Sequence, residues 1–161
     1  MAKKAKEEKT NVMRLLEQAK VEYSHYCYAA TDAISGVEVA TVLGQNVDKV
    51  FKTLVTVGKS KEHYVFVIPV AAELDLKAAA RSVGEKSVEM IHVADINKLT
   101  GYIRGGCSPI GMKKQFVTRI AAAAENLDKS IVSGGRIGSQ LELKPEDLKK
   151  ACKGEFADIT V

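Results

Sequence analysis

Val50-Phe51-Lys52-Thr53-Leu54-Val55-Thr56-Val57-Gly58 is followed by Lys59-Ser60-Lys61-Glu62 and then by Tyr64-Val65-Phe66-Val67-Ile68-Pro69-Val70. Both long runs are rich in β-branched and aromatic residues, and the residues between them are charged or polar. The pattern predicts a strand, a charged hairpin turn and a second strand. The second run is almost continuously apolar, which suits a central strand, and Pro69 marks its end.

Lys52 interrupts the first run. At a period of two it shares a face with Leu54 and Thr56, opposite Phe51, Thr53, Val55 and Val57. Lysine is rarely buried unless paired. It is therefore either an edge lysine whose stem covers apolar surface or a cation delivered into a pocket for phosphate or carboxylate.

Working outward, Thr10-Asn11 caps a helix whose Val12, Leu15, Leu16 and Ala19 share one face. Val21 to Tyr28 reads as a strand, with Tyr23, His25 and Cys27 on one side and Tyr26 and Tyr28 on the other. Ser35-Gly36-Val37-Glu38 fits a capping box, opening a helix that stops at Gly44. Asn46 to Lys49 forms a short capped turn. Beyond the hairpin, Asp75 caps Leu76–Val83, closed by Gly84. A short strand over Val88–Val93 and a short helix over Ala94–Leu99 follow. Propensity makes Phe116–Leu127, with Ala121 to Ala124, a helix, although Phe116-Val117-Thr118 also suits a strand. Ser130-Ile131-Val132 and the alternating Leu141 and Leu143 are strands. Pro145 stands at the first position of a last helix reaching Cys152, and Phe156–Val161 closes the chain as a strand. Strands and helices mix without a sustained βαβ rhythm. The expected architecture is one α+β domain with a mixed, partly barrel-like β-sheet flanked by short helices.

The chain has 161 residues, a size at which one domain buries a real core. Aromatic residues make up 6% and Trp is absent, which argues against a broad base-stacking platform. The formal net charge of +4 suits an anionic partner such as tRNA. Much of the excess sits at Lys3, Lys4, Lys6 and Lys9, so residues 1–9 read as a flexible basic tail and 10–161 as the domain. Cys27, Cys107 and Cys152 are odd in number and none are at CxxC spacing, so neither a disulfide framework nor a zinc knuckle is indicated. With no long apolar run and no signal-peptide core, a reducing cytoplasm is the expected compartment.

Two glycine-rich segments stand out: Gly105-Gly106-Cys107-Ser108-Pro109-Ile110-Gly111-Met112-Lys113-Lys114 and Ser133-Gly134-Gly135-Arg136-Ile137-Gly138-Ser139. Each is a surface connection or turn, or else a loop that brings backbone N–H groups to a ligand. GxGxxG, P-loop, HExxH and GxSxG motifs are absent, as are paired carboxylates. Cys107 is a nominal nucleophile with no histidine beside it in sequence, and His92 suits surface or core as well as catalysis. What remains is two glycine loops and a lysine, parts that bind an anionic or carbonyl-bearing ligand.

Lys9-Thr10-Asn11-Val12, Phe51-Lys52-Thr53-Leu54-Val55, Thr100-Gly101-Tyr102, Gly105 to Gly111 and Ser133-Gly134-Gly135-Arg136 occur in this order. Together they resemble the YbaK/EbsC family of Cys-tRNA(Pro) deacylases, relatives of the editing domain inserted in bacterial prolyl-tRNA synthetases. The resemblance runs from about Thr10 to Val161. It implies trans-editing of mischarged tRNA(Pro), in transient association with prolyl-tRNA synthetase and without cofactor, metal or membrane. By the same resemblance Lys52 and Gly105 are the catalytic residues, with Lys52 at the phosphate or ribose of the tRNA 3′ end. Tyr28, Thr53, Gly106, Ser108, Ser133 and Gly134 would line the substrate. The implied mechanism is substrate-assisted: the cysteinyl thiol attacks its own ester, so the protein supplies orientation and oxyanion stabilisation. A deacylase for Ala-tRNA(Pro) or another small amino acid, or a non-catalytic tRNA- or synthetase-binding module, would share these features.

Overall fold

The computed structural model describes residues 9–27, 36–104 and 106–161. Five helices, α1 (Asn11–Gln18), α2 (Gly36–Leu43), α3 (Leu76–Val83), α4 (Val93–Thr100) and α5 (Pro145–Cys152), surround two sheets. The strands are β1 (Ser24–Cys27), β2 (Phe51–Gly58), β3 (His63–Pro69), β4 (Val88–Met90), β5 (Val117–Ala121), β6 (Ser130–Ser133), β7 (Ser139–Leu143) and β8 (Gly154–Ala157). One sheet has the order β4-β2-β3-β5-β8 and the other β1-β7-β6.

The expected hairpin is the centre of the larger sheet. β2 and β3 run antiparallel from Phe51↔Pro69 to Val57↔His63. Lys61 takes the left-handed conformation in the turn, with φ +78°. β3 is central as expected: Val65, Phe66, Val67 and Ile68 have no solvent-exposed surface. Its other neighbour is β5, which runs parallel to it and to β8. The mixed sheet is thus present, but it is not closed. Among the described residues, one isolated parallel bridge, Val50↔Ile131, joins the two sheets.

Local signals place the helix ends. Thr10 accepts a hydrogen bond from Met13 N at the start of α1. Asp75 accepts from Lys77 N and Ala78 N at the start of α3, which ends at Gly84 with φ +75°. Each such cap satisfies N–H or C=O groups that a helix end leaves orphaned. The Ser35 cap lies outside the described residues, as does the tail through residue 8. Lys9 is described and pairs with Glu17 at 2.8 Å.

Two expectations are corrected. Phe116–Leu127 is not a helix: Val117–Ala121 is β5, and Ala122–Asn126 is a 3₁₀ turn. The vacant lane between β3 and β8 decides, because strand pairing on both edges outweighs alanine's helix preference. The last strand is Gly154–Ala157 rather than Phe156–Val161, and only Thr160 beyond it makes an antiparallel bridge, to Leu74.

Candidate active site

The first glycine loop is anchored from below. Tyr102 Oη donates to Ile110 O at 2.5 Å, and Ile110 N donates to the Ser108 hydroxyl at 3.3 Å. Lys113 N donates to Thr100 O at 2.8 Å, and Gly106 N to Ile103 O at 2.9 Å. Ser108 is fully buried, its hydroxyl turned into the loop. Burial raises the Tyr102 hydroxyl to a pKa of about 12, so it stays a hydrogen-bond donor. This is not a loose surface connection.

The two glycine segments meet. A Cβ placed on Gly106 would lie 2.8 Å from Ile137 N and 2.9 Å from Arg136 Cα. Only a residue without a side chain allows this approach of two backbones. The second segment is a closed turn. Gly134 N donates to Ser139 O at 2.8 Å and Gly135 N to Ser133 Oγ at 3.1 Å. Those N–H groups are spent inside the turn, so of the two readings the plain turn holds at Gly134 and Gly135, which offer no anion nest. In the first loop the Cys107 N–H meets no acceptor among the described residues.

β2 carries Lys52 and Thr53, of which Thr53 lines the cavity beside the first loop and Lys52 does not. Both are half-buried. Lys52 stands opposite Ile68 in the register, and no carboxylate among the described residues pairs with it. Thr53 lines a cavity of about 300 Å³ together with Arg104 and Cys107 of the first loop. The structure therefore unites Thr53 with the first loop, and Gly106 with the backbone of the second. Ser133 is half-buried and Gly134 packs against the Ser139 side chain. Tyr28 and Gly105 lie outside the described residues.

Burial pushes the Cys107 thiol up to about 11, and a hydrogen bond with Thr100 opposes the shift. Burial therefore favours the neutral Cys107 thiol over the thiolate, the form that attacks. Cys107 is thus a wall of the cavity. Arg104 went unnoticed in the sequence because nothing there shows that it shares a cavity with β2. A second cluster was also missed: His25 Nε2 lies 3.2 Å from Ser139 Oγ and 3.4 Å from Cys27 Sγ. The shared face of His25 and Cys27 was visible, but their partner joins only through the pairing of Cys27 with Ser139. Among the described residues, no group of three or more His, Cys, Asp or Glu is placed to hold a metal ion. No helix among them is long and apolar enough to cross a membrane.

An anchored glycine loop and a small cavity on an open mixed sheet make this a small-ligand-binding α+β domain. The chain belongs to the aminoacyl-tRNA editing domain family, which matches it over residues 31–151. EbsC of Enterococcus faecalis, named as a candidate Cys-tRNA(Pro)/Cys-tRNA(Cys) deacylase, is 51% identical over 161 residues, covering 99% of this chain and 98% of its own. Among solved structures, a candidate trans-editing enzyme for prolyl-tRNA synthetase superposes with a TM-score of 0.79 at 22% identity, covering 94% of this chain and 98% of that one. A hypothetical protein superposes with a TM-score of 0.85 at 22% identity, covering 94% and 100%. These two likenesses are of fold.

Proposed function

We propose that this protein is a cytoplasmic trans-editing deacylase that removes cysteine from Cys-tRNA(Pro), in transient association with prolyl-tRNA synthetase. The observation that carries the reading is the state of Cys107. The one thiol of the glycine loop is buried in the cavity wall, which disfavours its ionisation, and the Cys107 N–H meets no acceptor among the described residues, so the loop supplies walls and a donor rather than a nucleophile. A substrate that brings its own thiol needs none. The relative's name spans both Cys-tRNA(Pro) and Cys-tRNA(Cys), which favours recognition of the cysteinyl group over the tRNA body.

In this mechanism the substrate thiolate forms a bond to its own ester carbonyl carbon. The carbonyl oxygen becomes an oxyanion, and the Cys107 N–H, with Gly106 beside it, forms the wall facing it. Gly106 itself contributes close approach, since its N–H is already bound to Ile103 O. Collapse breaks the acyl C–O bond, releases a cyclic thiolactone and leaves the ribose oxygen to take a proton. Lys52 holds the 3′-terminal phosphate or ribose as a compact charge on a flexible stem, while Thr53, its neighbour on the other face of the strand, lines the cavity. Ser133, Gly134 and the buried Ser108 shape the loops that border the pocket. The need for such a second sieve is physical: a small apolar pocket discriminates a methylene-sized difference by only about 10–200-fold.

Charging tRNA(Pro) with cysteine, serine and alanine tests the reading. Cys-tRNA(Pro) should be cleaved far faster than the other two, and Lys52→Ala should lower kcat/KM by about 10²-fold, the scale of losing a positioning contact. Equal rates on serine would exclude the substrate thiol, and faster cleavage of the alanyl ester would reassign the substrate. Undiminished turnover by Lys52→Ala would remove the lysine from the mechanism.

A further inference from the structure

One end of the larger sheet gathers positive charge. Where β2 ends and β3 begins, the turn carries Lys59 and Lys61, both exposed. β5 runs parallel to β3 from Tyr64↔Val117, so the chain enters β5 at the same end, through exposed Lys113 and Lys114. β8 runs parallel to β5 from Thr118↔Gly154, so α5 delivers exposed Lys150 and Lys153 there as well. Side chains lock this arrangement. Gln115 Nε2 donates to Phe116 O and to Cys152 O, each at 3.0 Å, which ties the tail of the first glycine loop to the end of α5. The His63 ring packs on Phe116 with centroids 5.8 Å apart, and Lys114 Nζ lies 5.9 Å from the centre of the Phe116 ring.

No carboxylate among the described residues pairs with any of these lysines. Glu62 lies in the turn and Glu155 a step into β8, and neither meets a lysine. Glu85 is held by the hydroxyls of Ser60 and Tyr64. The dipole of α5 favours Lys150 near its C-terminus, but it does nothing for Lys59, Lys61, Lys113 or Lys114. Like charges gathered on one face repel one another, and a polyanion is the partner that reverses that cost. The lysines span four neighbouring strands, about 15 Å at roughly 4.8 Å per strand. A nucleic-acid duplex presents several phosphates over that length, roughly one per 3.4 Å of axis on each strand. Phe116 and Tyr64 are buried, and Phe156 is half-buried beneath Lys149 Nζ, so no aromatic platform awaits unstacked bases. The surface suits a duplex backbone rather than a single strand.

We propose that this end of the sheet carries the phosphate backbone of the tRNA acceptor stem. This rests on the deacylase reading and deepens it by adding a surface outside the cavity. The first glycine loop joins the two places. Cys107 lines the cavity, and Lys113 and Lys114 follow on the same segment, with Lys113 N bound to Thr100 O at 2.8 Å. A tRNA with its ester at the cavity passes these lysines as it leaves. Lysine contacts to phosphate fix the position and direction of a duplex without reading its bases.

The test compares two triple variants of the full-length protein. Lys113→Gln, Lys114→Gln and Lys153→Gln together remove charge from the track. Lys20→Gln, Lys77→Gln and Lys144→Gln remove the same charge from exposed positions after α1 and at the starts of α3 and α5. Fluorescence anisotropy follows binding of uncharged tRNA(Pro) from about 50 to 200 mM salt. The track variant should bind roughly tenfold or more weakly at the low-salt end, and its slope of log K against log salt should flatten by about 3, near one per phosphate contact. Its kcat/KM on Cys-tRNA(Pro) should fall by the same factor relative to that on 3′-O-cysteinyl-adenosine, which has no stem. Arginine at the three positions should restore binding. Equal losses in the two variants would reduce the effect to net charge and overturn the track, as would an unchanged salt slope. Lysine-dependent tRNA binding by a protein that cleaves neither ester would sink the deacylase reading and leave the track standing.

Discussion

Gly106→Ala isolates the contact between the two glycine loops. The added Cβ would sit 2.8 Å from Ile137 N and 2.9 Å from Arg136 Cα. Ordinary van der Waals contact begins near 3.4 Å, so the loops must part by about 0.6 Å. Main-chain atoms cannot swing aside as a side chain does. Overpacking of this kind costs about 1–3 kcal/mol, or roughly a 2–10 °C fall in Tm for a chain of this length. Misplacing a site by about 1 Å can cost 10²-fold, so kcat/KM on Cys-tRNA(Pro) should fall about tenfold. Gly84→Ala is the control. Nothing lies within 4 Å of its Cβ, but its φ of +75° strains any side chain, costing about 1–2 kcal/mol. It should lower Tm on a similar scale and leave kcat/KM unchanged. Calorimetry and single-turnover deacylation of both variants check this. Wild-type kcat/KM in Gly106→Ala would refute the claim that the loop contact sets the site.

Thiol reactivity should follow burial. Iodoacetamide at pH 7.5, followed by peptide mass spectrometry, should modify exposed Cys27 first and leave Cys107 and Cys152 at least about 10²-fold slower. Alkali should destabilise the protein. Burial raises Cys107 to about 11 and Cys152 to about 12, so the unfolded chain ionises first and stability is lost upward from about pH 9. Tm should be flat from pH 7 to 8.5 and then fall, as stability drops by up to roughly 1 kcal/mol per pH unit per thiol. Replacing both cysteines by alanine should flatten that slope, and an unchanged slope would place its origin elsewhere.

Local chemistry made much of the fold legible. The hairpin, the Thr10 and Asp75 caps, Gly84 and Pro145 each act within a few residues, so sequence order is enough to read them. β5 was not legible because its strand character comes from β3 and β8, whose pairing no local pattern announces. The candidate site divides in the same way. Lys52 is conspicuous as a charge in an apolar run, and the glycine loops are conspicuous by composition. That Gly106 is glycine because of Arg136 and Ile137 depends on an approach between segments some thirty residues apart in the chain. The cavity depends on where β4 stops, which is set by the turn into α4 and leaves no mark on Thr53 itself.

The pairing of β1 with β7 has a consequence for how the molecule is made. His25 meets Ser139 across 114 residues, whereas β2 and β3 close through a short turn. Loop closure over so long a separation comes late and slows folding. During synthesis the hairpin can form early, but β1 waits without a partner until β7 has emerged. The contact between the two glycine segments waits with it. A nascent chain therefore carries Lys52 on a finished hairpin long before it has a site, and the protein becomes competent only when nearly all of it has left the ribosome.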